Sequence, residues 1–189
     1  MASTSAPAST ESGVRAEKPK PGNDGTTTSN ATLKTDAAST TVVGLKLRNH
    51  SAGNTSNQFN IAGSTLSDTV LYQFRLEPAG STTVTSLQLR MSDISGFALG
   101  NISDAAMYVD YDGDGVIDSE DLQVGHAGQI SFAGSIGTTT FSAGFNATTS
   151  RDYVVRFDVA SIDAGDAVRF NLNHQDITIT GGGKMTGGA

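Results

Sequence analysis

The chain contains no cysteine and no tryptophan, only four prolines, and charged residues make up just 16% of its 189 positions. The lack of cysteine excludes disulfides, thiolate metal ligands and a cysteine nucleophile, without saying which compartment the protein occupies. Aromatic residues amount to 6%, which leaves little material for an extended stacking platform. No stretch approaches the about 18 consecutive apolar residues of a membrane-crossing helix, so membrane insertion is not expected. The opening MASTSAPAST has neither the basic end nor the apolar middle of a signal peptide. The 12 Lys and Arg residues are scattered. Without a basic face to displace counterions from phosphates, nucleic acid is not an expected partner.

What is abundant is glycine, with 22 residues, together with serine and threonine. A hydrophobic content of 37% in a chain of this length suffices for one ordinary core. Many turn residues and few aromatics favour short strands, so the expected class is all-β. The formal net charge of -7 is local in origin. Residues 1–36 balance Glu11, Glu17, Asp24 and Asp36 against Arg15, Lys18, Lys20 and Lys34. Removing the six acids of DYDGDGVIDSED, residues 110–121, brings the whole chain to -1. The acidity belongs to one loop.

Three segments are expected. Residues 1–36 hold three of the four prolines and almost no large apolar side chains, the composition of a flexible Ser/Thr/Pro-rich stalk. As a random coil, its ends would average about 30 to 35 Å apart. Within it, TTTSNATLKT, Thr26 to Thr35, is proline-free and β-permissive, a candidate donor segment for a neighbouring sheet edge. Residues 182–189 read as a Gly-rich C-terminal linker. Between them, residues 37–181 alternate with period two. Val43, Leu45 and Leu47 oppose Lys46 and Arg48; Val70, Tyr72, Phe74 and Leu76 oppose Gln73, Arg75 and Glu77. The pattern continues through Leu87, Leu89 and Met91; Met107 and Val109; Ile130 and Phe132; and Phe141, Ala143 and Phe145. It closes with Tyr153, Val155, Phe157 and Val159; Val168, Phe170 and Leu172; and Ile177 and Ile179. Strands with one apolar face must bury it against another sheet. The expected fold is therefore a two-layer antiparallel β-sandwich of about eight or nine strands, Greek-key or Ig-like, with a closed barrel as the alternative.

The acidic loop follows directly on the strand pattern AAMYV. Asp110, Asp112 and Asp114 stand first, third and fifth in twelve residues, Gly115 sixth, Val116 seventh, Asp118 ninth and Asp121 twelfth. Alternate carboxylates on a tightly curled loop can converge on one centre, and calcium takes six to eight hard oxygens at about 2.4 Å. Asp110, Asp112, Asp114, Asp118 and Asp121 are the candidate side-chain ligands, and Val116 contributes its backbone carbonyl. Gly115 permits the sharp turn, and Ile117 is expected to anchor the loop in the core. Calcium (Ca2+) is the expected cofactor. Magnesium fits less well, because it keeps several of its waters. A plain Asp-Gly turn needs one Asp and gains nothing from further carboxylates that repel one another.

DYDGDGVIDSEDL resembles the calcium loop of dockerin modules, including Ser119, a terminal Asp121 where EF-hands place Glu, and Leu122 beyond it. The likeness covers these thirteen residues and implies ion binding. Dockerins and EF-hands continue into a helix, whereas LQVGHAGQISFAG carries glycines and returns to alternation. A cohesin partner is therefore not implied. The loop is similar in this respect to calcium loops in bacterial surface β-sandwiches and integrin-like repeats.

No catalytic constellation stands out. His50, His126 and His174 lie far apart and are expected at the surface. AGSIG around Ser135 precedes a strand rather than the helix of a nucleophile elbow. Sequons at Asn30, Asn49, Asn54, Asn101 and Asn146 fall on segments expected to be exposed. The resulting expectation is a non-enzymatic, calcium-stabilised structural module of an extracellular or cell-surface protein or self-assembling filament. Its partners would be further copies or neighbouring domains of the same surface protein. The alternative is an accessory carbohydrate-binding or adhesion module with a glycan as partner.

Overall fold

The computed structural model describes residues 44–59, 63–96, 98–180 and 184–188. These belong to the second of two units, Met1–Ala38 and Ser39–Ala189. The expected stalk over residues 1–36, its candidate donor segment and Val43 lie outside the described residues.

The alternating segments are strands, packed as two sheets. The first runs in the order β11 (Lys184–Gly187), β1 (Gly44–Arg48), β2 (Ser64–Pro78), β8 (Arg151–Ile162), β4 (Ile102–Asp110) and β5 (Leu122–Val124). The second runs β10 (Ile177–Ile179), β3 (Thr82–Ser95), β7 (Ile136–Ala147) and β6 (Gln129–Ala133). Strand β9 (Ala167–Asn171) pairs with the Arg90 to Ser95 part of β3, beyond the part that β10 occupies. Apart from one isolated bridge, Asn173 to Gly188, no ladder joins the sheets among the described residues. The architecture is a sandwich rather than a closed barrel. The chain crosses between sheets from β2 to β3, β3 to β4, β5 to β6, β7 to β8, β8 to β9 and β10 to β11.

The core is built from the apolar faces that period-two alternation creates. Leu45, Leu47, Phe74, Leu76, Leu87, Leu89, Met91, Phe141, Val155, Phe157 and Val159 are all buried. Aromatic contacts tie the layers. Phe157 on β8 stacks on Phe170 of β9 at 5.1 Å, and Phe145 on β7 meets Tyr153 of β8 at 5.5 Å. Such pairs add about 0.5 to 1.5 kcal/mol each beyond the area they bury.

Three expectations change. The described residues form eleven strands, because β5 carries too few residues to show alternation and β11 falls in the expected linker. The expected Gly-rich linker contains β11, which pairs in parallel with β1 from Gly44↔Lys184 to Leu47↔Gly187. An unpaired β1 edge would leave its N–H and C=O groups without ladder partners, and KMTG satisfies them. Finally, Gln73, assigned to the wet face, is buried along with Asp152 and Val154 beside it in the sheet. The outer face of the first sheet is covered at this end, and the covering is what positions the acidic loop.

Candidate metal centre

Strands β4 and β5 pair antiparallel, Val109↔Leu122 and Met107↔Val124, so residues 110–121 form the hairpin connection the sequence implied. The backbone curls through left-handed turns at Gly113 (φ +76°) and Gly115 (φ +82°). A Cβ at Gly113 would lie 2.7 Å from Ser51 Oγ, and one at Gly115 would lie 2.8 Å from Gln73 Oε1. The left-handed conformation is what favours glycine at both positions, and a side chain there would also have to displace Ser51 or Gln73.

Short polar side chains hold the curl. Asp112 Oδ1 accepts from Asp114 N at 3.2 Å, Asp114 Oδ1 from Val116 N at 2.7 Å, and Asp118 Oδ1 from Glu120 N at 2.8 Å. These are successive Asx turns, each Asp bonding the amide two residues on. Asp121 closes the loop, accepting from Tyr111 N at 3.1 Å and from Asp118 N at 3.2 Å. Asp110 lies deepest, at 1% exposure. Its two oxygens accept from Gly113 N at 2.6 Å and Gly115 N at 2.8 Å.

One consequence is the convergence of Asp110, Asp112 and Asp114, whose ligand oxygens lie within 4.8 Å of one another. This triad is close enough to hold a metal ion. Asp118 and Asp121 stand outside this triad and act on the loop's backbone. Val116 is exposed and donates its amide to Asp114. Ile117 is half-buried rather than sunk in the core. Among the described residues no Lys or Arg forms an ion pair with the loop's carboxylates, and the cation that stands on the loop is Arg151, 4.8 Å from the centre of the Tyr111 ring.

The floor beneath the loop was not legible in the spacing. A strap over residues 50–53 crosses the outer face of β2 and β8. Gln73 Nε2 donates to Gly53 O at 2.6 Å. Asp152, also buried, accepts from Ser51 N at 3.1 Å and Ser51 Oγ at 2.9 Å, and pairs with Arg75. Ser51 Oγ also reaches Gly113 O at 3.2 Å. His50, expected at the surface, has a fully buried side chain. Its Nδ1 accepts the Ala52 N–H at 3.0 Å, so the ring's N–H is Nε2. Nε2 lies 2.9 Å from Asp110 Oδ2 without an aligned hydrogen bond, and it has no other partner among the described residues. The one available signal for these groups was the presence of polar Gln73 and Asp152 on the outer face of well-patterned strands, which reads as solvent exposure.

No protein-family model, curated protein or solved structure matches the chain. What the structure shows of the acidic loop is its Asp triad, close enough to hold a metal ion.

Proposed function

We propose that residues 110–121 bind calcium and that the chain is a calcium-stabilised, non-catalytic structural module of an extracellular or cell-surface protein. The observation that carries this reading is the convergence of Asp110, Asp112 and Asp114 on a glycine-curled hairpin loop. The twelve-residue ligand order supports calcium as the ion, with the Val116 carbonyl, Asp118 and Asp121 completing the oxygen set. Binding would draw Asp118 and Asp121 inward and exchange some of the present backbone bonds for metal contacts. A dication also relieves the carboxylate repulsion, which makes folding of this end depend on the ion. Such dependence suits an environment rich in calcium, outside the cell. Partners in this reading are further copies of the chain or adjoining domains.

Titration calorimetry on the chelator-treated full chain tests the site. The expected result is one calcium per chain with weaker binding of magnesium, which dehydrates reluctantly and takes fewer protein oxygens. A heat-silent titration with both ions would remove the reading.

A further inference from the structure

We infer that the strap over residues 50–53 fastens and loosens with occupation of the acidic loop, so that calcium governs how firmly this end of the outer face is covered. The inference rests on the calcium reading proposed above. Strap and loop meet at three places. Ser51 Oγ lies 3.2 Å from Gly113 O, the buried His50 Nε2 lies 2.9 Å from Asp110 Oδ2, and a Cβ at Gly115 would lie 3.6 Å from Ala52 Cβ. Beneath them Gln73 touches both segments, donating from Nε2 to Gly53 O at 2.6 Å and holding its Oε1 against Gly115.

Little else holds the strap. None of residues 49–59 belongs to a strand, and SAGNTSNQ, Ser51 to Gln58, carries a single apolar side chain, that of the exposed Ala52. The bonds within the strap are local: Ala52 N donates to His50 Nδ1 and Gly53 N to His50 O, both at 3.0 Å. Its tie to the floor runs through Ser51, whose amide and hydroxyl face Asp152 at 3.1 and 2.9 Å. That hydroxyl has one proton for two acceptors, Asp152 Oδ2 and Gly113 O, so floor and loop compete for it. A segment with so few buried apolar contacts opens at low free energy.

The loop decides how many of these contacts are available. Ligand oxygens of Asp110, Asp112 and Asp114 lie within 4.8 Å of one another. A dication among them offsets their repulsion and keeps the curl that presents Asp110, Gly113 and Gly115 to the strap. Without the ion the carboxylates push apart, and the strap loses its loop partners together. The two equilibria are linked: the factor by which calcium favours the closed strap equals the factor by which the closed strap favours calcium. Loss of calcium therefore reaches beyond the loop, opening residues 50–53 to solvent and to proteases.

The test is hydrogen exchange of the full chain in saturating calcium and in chelator, read by mass spectrometry. It compares peptides over residues 49–59 with the exposed turn between β6 and β7 at Gly134 and Ser135, on the other sheet. Calorimetry on the same sample reports calcium binding independently. Calcium is expected to slow exchange of the strap at least about fivefold and to leave the β6–β7 turn unchanged. Ser51→Ala should weaken calcium binding about three- to tenfold and shrink the slowing at the strap by a similar factor. Calcium that binds without slowing the strap would overturn this inference and leave the calcium reading standing. Equal slowing at strap and turn would overturn it as well, by showing a stabilisation of the whole domain, and so would a Ser51→Ala chain that behaves as the native one. Absence of any calcium binding would remove both readings.

Discussion

Asp110 Oδ2 accepts the Gly115 amide while lying 2.9 Å from His50 Nε2, so this one carboxylate joins the loop to the strap beneath it. His50 is thereby placed to orient a candidate ligand rather than to bind the ion. Partners of this kind usually change metal affinity by about 10- to 100-fold when removed. His50→Ala is expected to weaken calcium binding by that amount in titration calorimetry, and Asp110→Ala by more. Asp121→Ala should also weaken it strongly, because its carboxylate ties Tyr111 N to Asp118 N across the ends of the loop. Glu120 is exposed, and only its backbone amide takes part, so Glu120→Ala should be nearly silent. If Glu120→Ala proved as damaging as Asp121→Ala, the loop register would be wrong.

Strands place these residues, and strands also set the response to alkali. Tyr72 on β2 and Tyr153 on β8 are held protonated by burial up to about 12, with Arg151 opposing the shift at Tyr153. In the unfolded chain both phenols ionise near their ordinary value of about 10. Because the folded value is the higher, the stability that the neutral phenols contribute is complete below about pH 10. It is lost as pH rises through about 12. The loss should be on the order of 2 kcal/mol for each residue. Denaturant unfolding at pH values on either side of this window measures it; a flat stability across the window would contradict the burial of these rings. The same strands explain what could be read from sequence. Alternation reports which residues share a face, and Leu45, Phe74, Leu89, Val155 and Phe157 are buried as it implies. It does not report what covers the opposite face, so Gln73 reads as solvent-facing although the strap buries it. The acidic loop was legible because its candidate ligands lie within twelve consecutive residues. His50 and Ser51 were not, because sheet pairing alone brings them to it.

At the scale of the whole molecule, the strands of both sheets, among the described residues, begin at Gly44, inside the unit Ser39–Ala189. A chain lacking residues 1–36 should melt at the temperature of the full chain and keep its response to calcium. Loss of folding on that deletion would show that the N-terminal residues contribute to the core. On the proposed function, the folded domain holds calcium at residues 110–121 while the unfolded chain scarcely does. At about a hundred times its dissociation constant, such an ion adds roughly 2.7 kcal/mol of stability. Thermal unfolding of the full chain in calcium and in chelator measures this directly. A higher melting temperature is expected in calcium, with the difference lost in Asp110→Ala; equal melting temperatures in calcium and chelator would contradict calcium binding at this loop.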